Sequence, residues 1–415
     1  MTTTDAFSGL ECVDCEYENE SESESESESE SESGVDGPDE TDARRCPDCD
    51  GILEATYDLE AIDLDRAELE SRPFDSLWRY EELLPFARDS AVTTDEGATA
   101  LVECSKLADE LGVDRVLIKD EGRNPTGSIA DRGQSVAVTD ALRRDATDVA
   151  LASTGNDGQS AAAYAGRADL ESHVFVPSRS GFTNKAMVNV HGGDMSVVGG
   201  RMGAAEDAYE EALAEHDDWH PLGAFDTPYR LEGAKTLFYE IVEGLEWEVP
   251  DAIVVPTGTG LGLAGLYKGA REFRELGLIN EVPALYAAQA AGCAPIVEAF
   301  DDGRTEHEPV EHPDTICGDI EIPDPAGGKL ALEAIRESDG GAVATEDRAI
   351  LEAAVAVANG EGLEVAPSPG AAPSAVWDLA ERGEFDGSET IVLVNTTAGN
   401  KEADVLRSHL MGQGI

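Results

Sequence analysis

Residues 123–133 read Arg-Asn-Pro-Thr-Gly-Ser-Ile-Ala-Asp-Arg-Gly. Upstream, Val116–Lys119 is a short apolar run of strand type; downstream, Asp131–Leu142 carries helical spacing. Between them Gly122, Pro125 and Gly127 supply the residues of a tight turn. Ser128 is placed to cap the helix with its hydroxyl, and Asp131 suits the positive end of the helix dipole. The stretch is therefore a strand–turn–helix junction, the unit from which a parallel sheet is built.

The same alternation runs through the rest of the chain. Further strands are expected at Asp148–Ser153, His173–Pro177, Ser196–Val198, Ala252–Val255, Leu285–Ala288 and Ile391–Val394. Helices are expected at Gly158–Ala168, Asn184–His191, Ala204–His216, Arg230–Leu245, Leu261–Leu276, Leu330–Glu337, Ile350–Asn359 and Pro373–Arg382. The fold class is α/β, a mostly parallel sheet covered on both faces.

Three later junctions carry candidate binding groups. Ser153-Thr154-Gly155-Asn156 follows a strand and opens a helix, so its amides and hydroxyls suit a carboxylate. Pro256-Thr-Gly258-Thr259-Gly260-Leu-Gly262 is a Gly-rich turn at a helix start, which suits phosphate but equally an ordinary tight turn. Asn395-Thr396-Thr-Ala-Gly-Asn-Lys401 follows the last strand.

The chain has 415 residues and a formal net charge of -58, with 87 Asp plus Glu against 29 Lys plus Arg. Only seven of the basic residues are Lys. That balance excludes a nucleic-acid binder, which needs a basic stripe. The chain is 41% hydrophobic, too apolar for a disordered acidic protein. A folded, halophilic protein is expected, its carboxylates solvated and screened by salt. No run approaches the roughly 20 apolar residues of a membrane span. The start of the chain lacks a signal-peptide pattern, so a cytoplasmic location is expected.

Cys12-x-x-Cys15 and Cys46-x-x-Cys49 have the pair spacing of a structural zinc site, with free thiols or a redox pair as alternatives. They define a zinc-ribbon-like module at 9–58, interrupted by a Ser/Glu loop at about 18–42 that is expected to be disordered. A linker at 59–75 leads to the main domain at 76–415. Cys104, Cys293 and Cys317 are scattered and read as buried small hydrophobes.

Read together, these motifs resemble the threonine synthase family. The family's Asn-Pro-Thr-Gly-Ser-Phe-Lys-Asp-Arg-Gly is matched at Asn124, Pro125, Thr126, Gly127, Ser128, Asp131, Arg132 and Gly133. Trp78-Arg-Tyr and the later Leu-Leu-Pro85 are similar to its lead-in. The resemblance implies the pyridoxal-phosphate fold type II (tryptophan synthase β-like), with two three-layer α/β subdomains behind the ribbon. It implies that Ser153, Thr154 and Gly155 receive the substrate carboxylate. It places Asn156 at the cofactor's phenolic oxygen, Gly258, Thr259, Gly260 and Gly262 at its phosphate, and Thr396 at its pyridine nitrogen.

It also implies a lysine, held to the cofactor as a Schiff base, at position 130, where this chain has Ala130. Ile129, Asp157, Leu261, Ala366 and Thr397 depart from the family pattern as well. An alanine neither forms an imine nor carries a proton. The resemblance then implies a protein impaired in, or lacking, the lyase chemistry that turns phosphohomoserine into threonine. Such a protein keeps a pocket for an amino-acid or phosphate ligand or a partner, binds pyridoxal phosphate non-covalently if at all, and is a candidate homodimer. The alternative is an active lyase or synthase of the same fold.

Overall fold

The structure, a computed structural model, describes residues 3–20 and 44–412. Strands β1 (Phe7–Cys12), β2 (Glu18–Glu20) and β3 (Leu53–Tyr57) form a small antiparallel sheet in the order β2-β1-β3. Glu18–Glu20 was expected inside the Ser/Glu loop but pairs with Gly9–Glu11 instead. The Ser21–Ser33 run lies outside the described residues.

Two further sheets follow. Their strands are β4 (Leu101–Glu103), β5 (Arg115–Asp120), β6 (Asp148–Ala152), β7 (Glu171–Pro177), β8 (Asp194–Val198) and β9 (Trp219–Pro221), then β10 (Ala252–Pro256), β11 (Ala284–Ala290), β12 (Gly341–Thr345) and β13 (Thr390–Asn395). The larger sheet has the order β12-β11-β10-β13-β5-β4 and is parallel except for β4. The smaller is the parallel set β8-β7-β6-β9.

The central strands β10 and β13 are almost wholly apolar, as burial on both faces requires. Helices Tyr229–Gly244, Leu261–Glu275 and Gly328–Glu337 cover one face of the large sheet; Asp347–Glu361 and Ala371–Arg382 cover the other. The small sheet lies between helices Ala130–Arg143 and Asn156–Arg167 on one side and Met202–Glu215 on the other. Both bodies are thus three-layered, and the fold is the α/β fold type II.

The expected strands and helices are found with shifts of a few residues at their ends. Strands β4, β9 and β12 were not anticipated: two have three residues each, and Gly-Ala-Val-Ala-Thr of β12 offers little β-branched signal. The linker at 59–75 is packed rather than free. Its Leu64 and Leu69 are buried, and Arg66 donates to the carbonyl of Leu278.

The ribbon is joined to the main body by charge. Tyr57 Oη donates to Glu232 Oε2 at 2.6 Å, and Lys268 lies 3.0 Å from Glu232 Oε1 while donating to the Ala55 carbonyl.

Helices Ala130–Arg143 and Tyr229–Gly244 cross backbone to backbone. A Cβ on Gly233 would sit 2.1 Å from the Arg132 carbonyl oxygen, so any larger residue there forces the helices apart. At this crossing Arg132 enters the core with no solvent exposure. Its Nε and Nη2 donate to Glu121 at 2.6 and 2.9 Å; Nη1 and Nη2 donate to Glu240 at 2.7 Å each. Lys119, equally buried, donates to Glu240 at 2.6 Å. Removing one partner from such a group strands a desolvated charge, which costs about 3–5 kcal/mol. Arg132→Met is therefore expected to lower unfolding free energy by about that amount in urea titration, and adding Glu121→Gln is expected to recover part of it.

Candidate active site between the two sheets

The C-terminal ends of β5, β6, β10 and β13 face one another across a cavity of about 440 Å3. This is where open parallel sheets bind ligands. The loop after β5 and the loop after β13 are stitched together. Ile129 N–H donates to the Thr396 carbonyl at 2.9 Å, and Ala398 N–H to that of Gly127 at 3.0 Å. Gly127 turns with φ +77°, a conformation that favours glycine. Ser128 Oγ accepts from Ala130 N–H at 3.2 Å, so the hydroxyl holds the first turn of the helix.

Ala130 opens on the cavity, which Ile129 and Leu261 line as well. Asp131 points the other way. It accepts from Thr126 N–H at 2.7 Å, Thr126 Oγ1 at 2.6 Å and Ser160 Oγ at 2.5 Å. Burial raises its carboxyl to about 6 despite these donors.

Thr154 and Asn156 line the cavity with Ser153, but the Ser153 hydroxyl is engaged locally. Its Oγ accepts from the amides of Gly155 at 2.9 Å and Gly158 at 2.8 Å, which caps the next helix. Gly155 does not face the cavity; it turns the chain where a Cβ would meet the Asn184 side chain at 2.9 Å. Asn156 Oδ1 accepts from Lys401 Nζ at 2.7 Å, and its Nδ2 donates to Asp319. The amide orientation follows from chemistry, since an ammonium only donates and a carboxylate only accepts. Burial lowers the Lys401 amine to about 8, against the pull of Asp319 and Asp131. Burial raises the Asp319 carboxyl, with Lys401 opposing.

Asp157, one of the departures from the family pattern, is neutralised: Arg230 Nη2 donates to it at 2.6 Å. The Gly-rich loop lies at the head of helix Leu261–Glu275 with Gly258, Thr259, Gly260 and Gly262 on the cavity wall. Gly260 has φ +91°, and its Cβ would come 2.6 Å from the Gly327 carbonyl oxygen. Leu261 lies to one side, against the cluster of Phe225 and Leu330. Thr396 also lines the cavity, and its hydroxyl makes no protein hydrogen bond among the described residues.

A helix-head glycine cradle and a free hydroxyl on the cavity wall fit pyridoxal phosphate. At Asn156 the fit is contested, because its amide N–H already serves Asp319. Asp319, Lys401 and Arg230 were not assigned to the site from the sequence. Lys401 was visible only as the end of a motif, and Asp319 had no local signal.

In the ribbon, the sulfurs of Cys12, Cys15, Cys46 and Cys49 all lie within 4.8 Å of one another, with 3.5 Å between Cys12 and Cys49 and between Cys15 and Cys46. A tetrahedron with Zn–S bonds of about 2.3 Å has sulfur–sulfur edges near 3.8 Å, so the set is compatible with zinc. Cys104, Cys293 and Cys317 are buried.

This site on this fold defines an enzyme class built around pyridoxal phosphate. The pyridoxal-phosphate dependent enzyme family matches residues 92–397. Threonine synthase of Methanosarcina acetivorans is 37% identical over 85% of this chain and 86% of its own length. That of Methanocaldococcus jannaschii is 37% identical over 86% and 88%. The processed form of threonine deaminase isoform 2 from Solanum lycopersicum superposes with TM-score 0.66 at 20% identity, over 85% of this chain and 90% of that one. The chain belongs to the pyridoxal-phosphate dependent enzyme family, among its threonine synthase-like members. No helix among the described residues is long and apolar enough to cross a membrane.

The raised carboxyl of Asp131 has a signed consequence. Between its ordinary 3.8 and about 6 the folded chain holds a proton that the unfolded chain has released. Stability from this group therefore falls as pH rises through that window. Urea midpoints measured across it are expected to fall less steeply in Asp131→Asn than in the wild type.

Proposed function

We propose that this chain binds a small phosphate-bearing or amino-acid ligand in the threonine synthase-like cavity without performing Schiff-base lyase chemistry. The carrying observation is that no lysine lines the cavity, and that Ala130 opens on it where the resemblance places one. All seven lysines are accounted for. Lys119, Lys235 and Lys268 are buried in ion pairs, while Lys106 and Lys185 donate to carbonyls and Lys329 pairs with Asp14. The seventh, Lys401, is held behind Asn156.

When bound, pyridoxal phosphate supplies an electron sink. Gly258–Gly262 and the head of the following helix would hold its phosphate, and the Thr396 hydroxyl would meet the ring nitrogen. A positioned acid–base group contributes roughly a hundred- to ten-thousandfold in rate, and with Ala130 that group is absent. Wild-type protein with pyridoxal phosphate is expected to show no borohydride-fixable absorbance band and no threonine from phosphohomoserine above background. Ala130→Lys is expected to gain the band. Enzyme-like turnover by the wild type would overturn the proposal.

A second reading, an active enzyme, is favoured by one observation: Lys401 lies one hydrogen bond behind Asn156 with its amine lowered to about 8. Peptide mapping after borohydride decides between them, because fixation on Lys401 establishes the active reading.

The ribbon is proposed to hold one structural zinc. Metal analysis is expected to give one zinc per chain, and Cys46→Ser is expected to lose it and to lower the thermal midpoint.

A further inference from the structure

The family resemblance makes Ser153–Asn156 the turn that receives a carboxylate, and the structure already holds a carboxylate against its Thr154 and Asn156 side chains. Asp319 accepts from Asn156 Nδ2 and lies 3.4 Å from Thr154 Oγ1. Its position is enforced from both sides. The backbone N–H of Asp319 donates to Ser368 Oγ at 3.2 Å. Two residues on, Glu321 is clamped by Arg179 at 3.0 Å and by Arg201. Upstream, Thr315 Oγ1 and the Ile316 N–H both donate to Asp347, at 2.5 and 3.0 Å. Cys317 and Ile320, on either side of Asp319, are fully or almost fully buried.

Asn156 cannot turn away from this partner. Lys401 fixes its Oδ1, so the side chain offers only the two Nδ2 hydrogens, one taken by Asp319 and the other directed at Thr397 Oγ1 at 3.4 Å. Asp319 itself lines the cavity, its charge balanced by Lys401 across Asn156, and its backbone carbonyl lies 3.1 Å from where a Cβ of Gly258 would stand.

We propose that Asp319 is an in-chain occupant of the carboxylate subsite, a specificity-determining residue that turns the cavity against ligands presenting a carboxylate to Ser153–Asn156. The cavity then takes phosphorylated small molecules that bring no carboxylate to this loop. This rests on the reading of the cavity as a ligand site, and it concerns which ligand is admitted. An incoming carboxylate must displace Asp319 from Asn156 and sit beside it, and like charges at that distance repel strongly.

The test is calorimetric titration of the wild type, Asp319→Asn and Asp319→Ala with L-threonine, phosphohomoserine and inorganic phosphate, with thermal midpoints as the folding control. Asp319→Ala is expected to bind both amino acids about tenfold or more tighter than the wild type, while inorganic phosphate changes by less than about twofold. Asp319→Asn keeps the shape and removes the charge; it is expected to shift in the same direction by less, and it carries the test if the alanine variant does not fold. Phosphate binding with no gain for the amino acids overturns this inference alone. Absence of binding for every probe in all three proteins overturns it together with the ligand-site reading.

Discussion

The buried guanidinium of Arg132 is the constraint on which the rest of the structure depends. It joins Glu121 at the end of β5 to Glu240 on helix Tyr229–Gly244, and Lys119 completes the balance on Glu240. A desolvated charge of this kind is tolerated only when every donor finds its acceptor. The planar fork of arginine does this for two carboxylates at once, which a lysine would not. The group therefore fixes the register of the first strand–turn–helix junction against the long central helix. From that register come the position of the loop 124–129, its stitching to Thr396–Ala398 and the shape of the cavity between the sheets.

This divides the opening motif into two sets of positions. Asn124, Thr126, Ser128, Asp131 and Arg132 are all bonded within the loop or the core, and Gly133 lies where a Cβ would meet Arg230. These are the positions that match the family. Ile129 and Ala130, which do not match, line the cavity, as do Asp157, Leu261 and Thr397; of the matching positions only Ser128 and Gly133 reach it too. Most of the matching residues of this motif answer to the fold alone, while Ser128 and Gly133 serve both the fold and the cavity wall. A chain can keep the first set intact while the second set changes, because few of the hydrogen bonds that hold the loop involve a cavity side chain.

The same division explains what could be read before the structure. Periodicity located the long helices and the apolar central strands, since burial on two faces leaves a continuous apolar run. It gave no sign of β9 or β12, whose three and five residues carry little pattern. The four glycine- and hydroxyl-bearing loops were legible because turn chemistry is local. Asp319 was not, because its meaning lies in Thr154, 165 positions away in the chain. Lys401 showed the converse: the motif gave its place, while its partner Asn156, 245 positions away, gave its role.

Charge balance connects these last two residues. A lysine ammonium buried beside an asparagine needs an anion nearby, or burial drives the proton off. Asp319 supplies that anion through Asn156, so the pair neutralises the wall of the cavity from within the chain. Arg230 and Asp157 do the same on the adjoining turn. Most polar groups around Ala130 thus satisfy one another, while the buried Nε of Arg230, on the cavity wall, has no hydrogen-bond partner among the described residues. A site that depended on a bound anion for its stability would leave such donors free. Here the open positions are the glycine loop, the Thr396 hydroxyl and the Arg230 Nε, which are the groups left for a ligand to engage.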